Sequence, residues 1–188
     1  MEEVNATRSE IERKIGEVLV YPDGRSVTFL ESGKDEDGEY IILKHQVLEQ
    51  RALNGPHWHP VLKETFKVKE GRMKFLIDGQ EMILNAGEQI TVNPRQIHQF
   101  WNLSEGQLVA THKIQPPGLH WKMFALVHKL EHEGKMGKNG IPRNPFWLGL
   151  AWECIDGYLH GPPRFIQTYG LGGLAKLAKK LGYKVSAK

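Results

Sequence analysis

The sequence predicts an all-β core, an antiparallel sandwich or barrel, followed by a C-terminal α-helical extension. Two observations carry this. Up to about residue 115, short runs of β-branched, aromatic and aliphatic residues alternate with turn residues, too closely spaced for helical crossovers to fit between them. Beyond Pro116-Pro117 the apolar period becomes helical. The expected strands are 18–21, 26–31, 40–48, 64–69, 73–78, 81–84, 89–92, 98–103 and 107–115. Asp23-Gly24, Asp37-Gly38, Asp78-Gly79, Ala86-Gly87 and Glu105-Gly106 supply turns. Three helices are expected after them. The first runs from Leu119 to Glu133 and stops at Gly134. The second runs from Pro145 to Leu159, with Asn144 as N-cap and Pro145 at the first helical position. The third runs from Pro162 to about Tyr183, with breaks at Gly170 and Gly172-Gly173. Residues 134–140 read as a flexible basic loop.

The chain has 188 residues, enough for one domain with an appendage at roughly 150 residues per domain. The division expected is a barrel with a short N-terminal arm over 1–116 and a helical extension over 117–188, packed on the barrel or on a partner subunit. With 40% hydrophobic and 25% charged residues the composition is that of a globular protein, which excludes collagen-like and wholly disordered readings. The single cysteine, Cys154, excludes an internal disulfide and a Cys-rich zinc site. No apolar run is long enough to span a bilayer, so no transmembrane segment is expected. The polar, acidic N-terminus does not read as a signal peptide, and the expected location is the cytoplasm. Residues 1–94 carry 12 basic and 17 acidic side chains, whereas 95–188 carry 13 and 5. Without aromatic-basic interleaving, that asymmetry reads as attraction between the halves or between subunits, with no nucleic acid partner.

The chemistry concentrates in His57-Trp58-His59. Two residues apart on a strand, the histidines share a face and Trp58 points the other way. Glu64 opens the next strand, and His98 lies on a later one. Three imidazoles and a carboxylate converging inside a barrel suit a divalent transition metal. Period two places Phe66 with Glu64, and Phe100 and Asn102 with His98. It also turns Met73, Phe75 and Ile77 inward. His45 and His112 fall in phase with apolar neighbours and read as inward histidines, buried and satisfied or serving as hydrogen-bond donors or bases near the site.

The stretch His57-x-His59-x4-Glu64-x6-Gly71, with Gly87-x6-Pro94-x3-His98-x3-Asn102, resembles the two motifs of the cupin superfamily. The resemblance spans roughly residues 17–116 and implies a small antiparallel jelly-roll barrel. It implies that His57, His59, Glu64 and His98 are metal ligands for Fe, Mn, Ni, Zn or Cu. It leaves the chemistry open. One reading is a dioxygenase-type oxidoreductase acting on a small apolar or aromatic molecule, with Glu64 as catalytic base and Phe66, Phe75, Phe100, His45 and His112 lining the pocket. Another is an isomerase, lyase or cyclase using the metal as Lewis acid, and a third is a non-catalytic binding module. A small-molecule ligand and a homodimer are the expected partners. Asn102 is expected to fix a turn, Cys154 to be a buried small hydrophobe, and Trp121, Phe124, Trp147 and Trp152 to bury the tail. The basic amphipathic stretch around Leu174–Leu181 reads as a docked helix in preference to a membrane-surface one.

Overall fold

The computed structural model describes residues 9–137 and 140–185. The expectations for residues 1–8, the middle of loop 134–140 and residues 186–188 lie outside the described residues. Most strands follow the expected alternation, which β2 loses where its register shifts between Phe29 and Glu31. β1 (Val18–Val20), β2 (Ser26–Asp35) and β3 (Gly38–Val47) form an antiparallel meander. Then come β4 (Arg51–Ala52), β5 (His57–Trp58), β6 (Lys63–Glu70), β7 (Arg72–Ile77) and β8 (Gln80–Asn85). β9 (Gln89–Val92), β10 (His98–Asn102) and β11 (Leu108–Gln115) complete the series, and a short β12 (Tyr158–Leu159) joins from the tail.

Two antiparallel sheets make a jelly-roll barrel. One has the order β1-β2-β3-β11-β6-β9; the other has β12-β5-β10-β7-β8, with β4 also beside β10. The inward residues close the core. Phe66, Val68, Phe75 and Leu108 lie between the sheets, and Phe29, Ile41, Leu43 and Ile114 fill the other end. Gly71, the last residue of the first motif, turns β6 into β7 at φ 83°, and a Cβ there would stand 2.7 Å from the Gln107 carbonyl oxygen. Asn102 pins the strand end: its Nδ2 donates to Glu49 O at 2.9 Å and its Oδ1 accepts from Ser104 N at 2.8 Å.

The helices after the barrel are α1 (His120–His132), α2 (Pro145–Cys154), α3 (the single turn Arg164–Ile166) and α4 (Gly172–Lys180), with a π-helical stretch Gln167–Leu171 joining the last two. Asn144 caps α2 as expected, its Oδ1 accepting from Phe146 N at 2.8 Å ahead of Pro145. Trp121 of α1 enters the barrel cluster edge-on to Phe29, ring centroids 6.3 Å apart. Leu126 and Leu130 on the same helix join Trp147, Leu150, Ala175 and Ala178 in a separate helical cluster. Cys154 is buried and free. Among the described residues no helix is long and apolar enough to cross a membrane.

Two helix expectations are corrected. The second helix does not reach Leu159. It ends at Cys154, Asp156 adopts φ 51°, and Tyr158 and Leu159 pair with Trp58 and His57 instead. A strand edge left open by β5 outcompetes local helical propensity. The third helix is continuous through Gly170 and Gly172-Gly173 but widens at Gln167–Leu171. Gln167 explains this. Its buried amide donates to Leu159 O at 2.9 Å and Pro162 O at 2.8 Å, while Oε1 accepts from Leu159 N at 2.9 Å and Trp152 Nε1 at 3.2 Å. A π-turn reconciles the helix with that fixed side chain.

Candidate metal centre

β5 and β10 are antiparallel neighbours with His98 opposite His57, which sets their rings 4.2 Å apart. His59 follows β5 and points to the same side, its ring 4.9 Å from His57 and 5.5 Å from His98. Glu64 faces them from β6 in the opposite sheet. One ligand atom from each of the four residues lies within 4.8 Å of every other, and all four side chains are buried. Trp58 turns outward and stacks on Tyr158 at 4.9 Å.

The three imidazoles are oriented alike. His57 Nδ1 lies 2.9 Å from Gly55 O, His98 Nδ1 3.0 Å from Gln96 O, and His59 Nδ1 3.3 Å from Asp156 O. A carbonyl oxygen only accepts, so the proton of each neutral ring sits on Nδ1 and each Nε2 presents a bare lone pair. His98 Nε2 stands 2.9 Å and His59 Nε2 3.4 Å from Glu64 Oε2. With the rings neutral these are acceptor against acceptor, and His59 Nε2, His98 Nε2 and Glu64 Oε2 are all buried without a hydrogen-bond partner. Such a convergence is costly by itself and fits a divalent cation.

The other carboxylate oxygen is held from behind. His112 on β11 donates Nε2–H to Glu64 Oε1 at 2.9 Å, and its Nδ1 lies 3.3 Å from His45 Nε2 on β3. His45 thus supports His112, and His112 aims Oε2 at the imidazoles. Phe66 stacks on His112 at 4.0 Å, and Phe66, Phe75 and Phe100 pack on one another at 4.9–5.6 Å. Burial works to raise the Glu64 pKa, but the contacts led by the His112 hydrogen bond to Oε1 outweigh it and keep the carboxyl ionised, well below its ordinary range. Burial, then the neighbouring His98 and His59, push His57 down to about 3. Burial works to lower the His59 pKa, but Glu64 beside its Nε2 raises it overall, so a divalent metal binding at that nitrogen competes with a proton.

Sequence reasoning missed His120. It opens α1 and is buried, with Nδ1 3.0 Å from Ile155 O and Nε2 directed at Glu64 Oε1 from 3.8 Å. Its ring meets His59 edge-on at 5.2 Å. Burial pushes its pKa down to about 4, so it too offers a bare Nε2 lone pair. The tail also supplies Asp156, whose carbonyl orients His59 and whose carboxylate accepts from Leu119 N at the head of α1. No sequence period links a tail helix to a barrel interior; a lone histidine at a helix start was the only available sign. His128 and His132, one turn apart on α1, both reach Val20 O, at 3.0 and 2.9 Å.

Residues 44–112 match the family model described as the cupin domain, Cupin_2. Quercetin 2,3-dioxygenase of Bacillus subtilis is 29% identical over 46% of this chain and 31% of its own length, so the chain spans under a third of that curated relative. Among solved structures, KdgF from a Halomonas species has a TM-score of 0.44 at 14% identity, covering 52% of this chain and 84% of that one. A cupin-superfamily sugar phosphate isomerase from Silicibacter pomeroyi has 0.42 at 20% identity, covering 55% and 71%.

Proposed function

We propose that this protein, whose residues 44–112 match the cupin domain model, is a metal-dependent oxidoreductase of dioxygenase type acting on a small apolar or aromatic molecule. The observation that carries the metal is the buried, partnerless convergence of His59 Nε2, His98 Nε2 and Glu64 Oε2. His57, His59, Glu64 and His98 would hold it. A bound Fe, Mn, Ni, Zn or Cu ion supplies Lewis acidity and, where redox-active, electron exchange with dioxygen. The name of the Bacillus relative supports the oxygenase reading over a purely Lewis-acid one.

The protein's own groups then divide the work. Glu64, ionised and steadied by His112, is the base for an enol or phenol proton. His120, its Nδ1 held by Ile155 O, would accept at Nε2 a hydrogen bond from the same ligand. Phe66, Phe100 and Phe75 form an apolar floor that excludes water and suits an aromatic ring. A homodimer completes the proposal, joined through the outer face of β1 and β2, where Val18, Val20 and Leu30 are exposed.

The test is metal analysis of untagged protein, followed by oxygen uptake by Fe(II)-loaded protein over a panel of phenols and diketones. Substrate-dependent uptake that Glu64→Gln abolishes supports the proposal. Isomerised or cleaved product without oxygen uptake, or tight binding without turnover, overturns the oxygenase assignment. Protein that binds no divalent metal overturns the whole reading.

A further inference from the structure

The outer side of the metal-bearing strands carries a feature that the centre does not use. A surface cleft of about 400 Å³ is lined by Trp58, Pro60, Arg95, Ile97 and Arg164, with no carboxylate among them. Arg164 lies over the stacked rings of Trp58 and Tyr158, 5.2 and 4.8 Å from their centroids. Arg95 sits in the turn before His98, at φ 72°, its N–H bonded to His59 O at 2.7 Å. Two guanidinium groups therefore line one cleft beside the Trp58 ring, and no carboxylate is among its lining residues. Large apolar side chains next to the lining residues are bare: Val61 is 62% exposed, Phe165 63% and Tyr169 81%, with Ile166 also exposed. Leu177 and Leu181 continue the exposed series along α4 and just past it. Residues 157–188 contain Arg164, Lys176, Lys179, Lys180, Lys184 and Lys188 and no Asp or Glu.

We infer that this face docks on an anionic phospholipid surface. The lipid phosphate sits between Arg95 and Arg164, and Phe165, Ile166 and Tyr169 enter the headgroup–acyl boundary. The chemistry selects this occupant. Exposed aromatic and aliphatic side chains beside cations, of which Lys179 alone is shown paired, with Glu153, are what an interfacial helix presents to lipid, and an anionic leaflet attracts each nearby cation. A second copy of this chain fits poorly. A two-fold contact would place this patch against itself, bringing like charges together. The surface is separate from the ligand-binding interior, since Trp58 points away from the histidines on either side of it.

The experiment is flotation of the intact protein with vesicles of pure phosphatidylcholine and of phosphatidylcholine mixed with phosphatidylglycerol, at low and high salt. Partition onto the phosphatidylglycerol vesicles alone, weakened by salt, is expected. Arg95→Gln and Arg164→Gln should each lower it about fivefold. Phe165→Ser with Tyr169→Ser should lower it at least as much. Unchanged metal content and melting temperature establish that the variants fold. Equal partition onto both vesicle types, none onto either, or partition indifferent to these substitutions overturns the inference. So does a dimer in sedimentation equilibrium that Tyr169→Arg dissociates, because the patch would then be a protein interface.

Discussion

Replacing Gly157 by Ala should disable metal binding from a residue that touches no metal. A Cβ at Gly157 would stand 2.6 Å from Trp58 O and 2.7 Å from His59 Nδ1. Ordinary contact begins at 3.4 Å, so backbone or imidazole must yield by about 0.7–0.8 Å. Neither gives easily. Trp58 is held in β5, paired with Tyr158 of β12, and the His59 ring is fixed by Asp156 O at 3.3 Å. The methyl intrudes beside that hydrogen bond, so relief means turning the ring and dragging Nε2 away from Glu64 Oε2. Overpacking of this kind costs about 1–3 kcal/mol of stability. Losing the partner that orients a ligating histidine costs about 10–100-fold in metal affinity. The assay is competitive titration of a divalent metal against a chromophoric chelator, with urea unfolding alongside. Gly173→Ala is the control, since nothing lies within 4 Å of a Cβ there. Wild-type metal affinity in a folded Gly157→Ala protein would refute the claim that Asp156 and β12 set the His59 orientation.

Three further outcomes follow from the same contacts. Trp121→Ala should lower unfolding free energy by about 3–5 kcal/mol, because a fully buried indole inside the barrel cluster is removed; a urea-measured loss below about 1 kcal/mol would show that α1 does not brace the barrel. His98→Ala should strip the metal while leaving the fold cooperative, since the Phe66, Val68 and Phe75 core is intact; a variant that no longer unfolds cooperatively would make the centre a structural one, as in metal-dependent small domains. Chelator-treated protein should lose stability as pH falls below about 6.5. Burial holds His45 down at about 3 and His120 at about 4, so the unfolded chain takes up these protons first, each histidine costing up to about 1.4 kcal/mol per pH unit until its folded value is reached. Urea midpoints unchanged between neutral and mildly acid pH would contradict that burial.

Much of this molecule is local and was legible in its sequence. Period two located most of the strand series, because a strand half-buried against one core must alternate; the two-residue strands 51–52 and 158–159 are too short to show a period. The Asn144-Pro145 cap announced the start of α2 through short-range hydrogen bonding and fixed φ. The four candidate ligands could be read together because their spacing resembles the two cupin motifs. What the sequence determined was therefore which face each side chain occupies. Which faces meet was decided only by the tertiary structure. Phase turned His45 and His112 inward, yet only sheet pairing set His112 against Glu64, 48 residues away, and His45 behind it. Nothing local announced that Asp156, 97 residues from His59, would orient that ring, or that His120 would enter the barrel from a helix. Nor did helical propensity at Tyr158 and Leu159 survive the open edge of β5. Each of these contacts joins segments distant in sequence. Its energy comes from burial and hydrogen bonds that exist only after the chain has closed, so no periodicity within either segment encodes it.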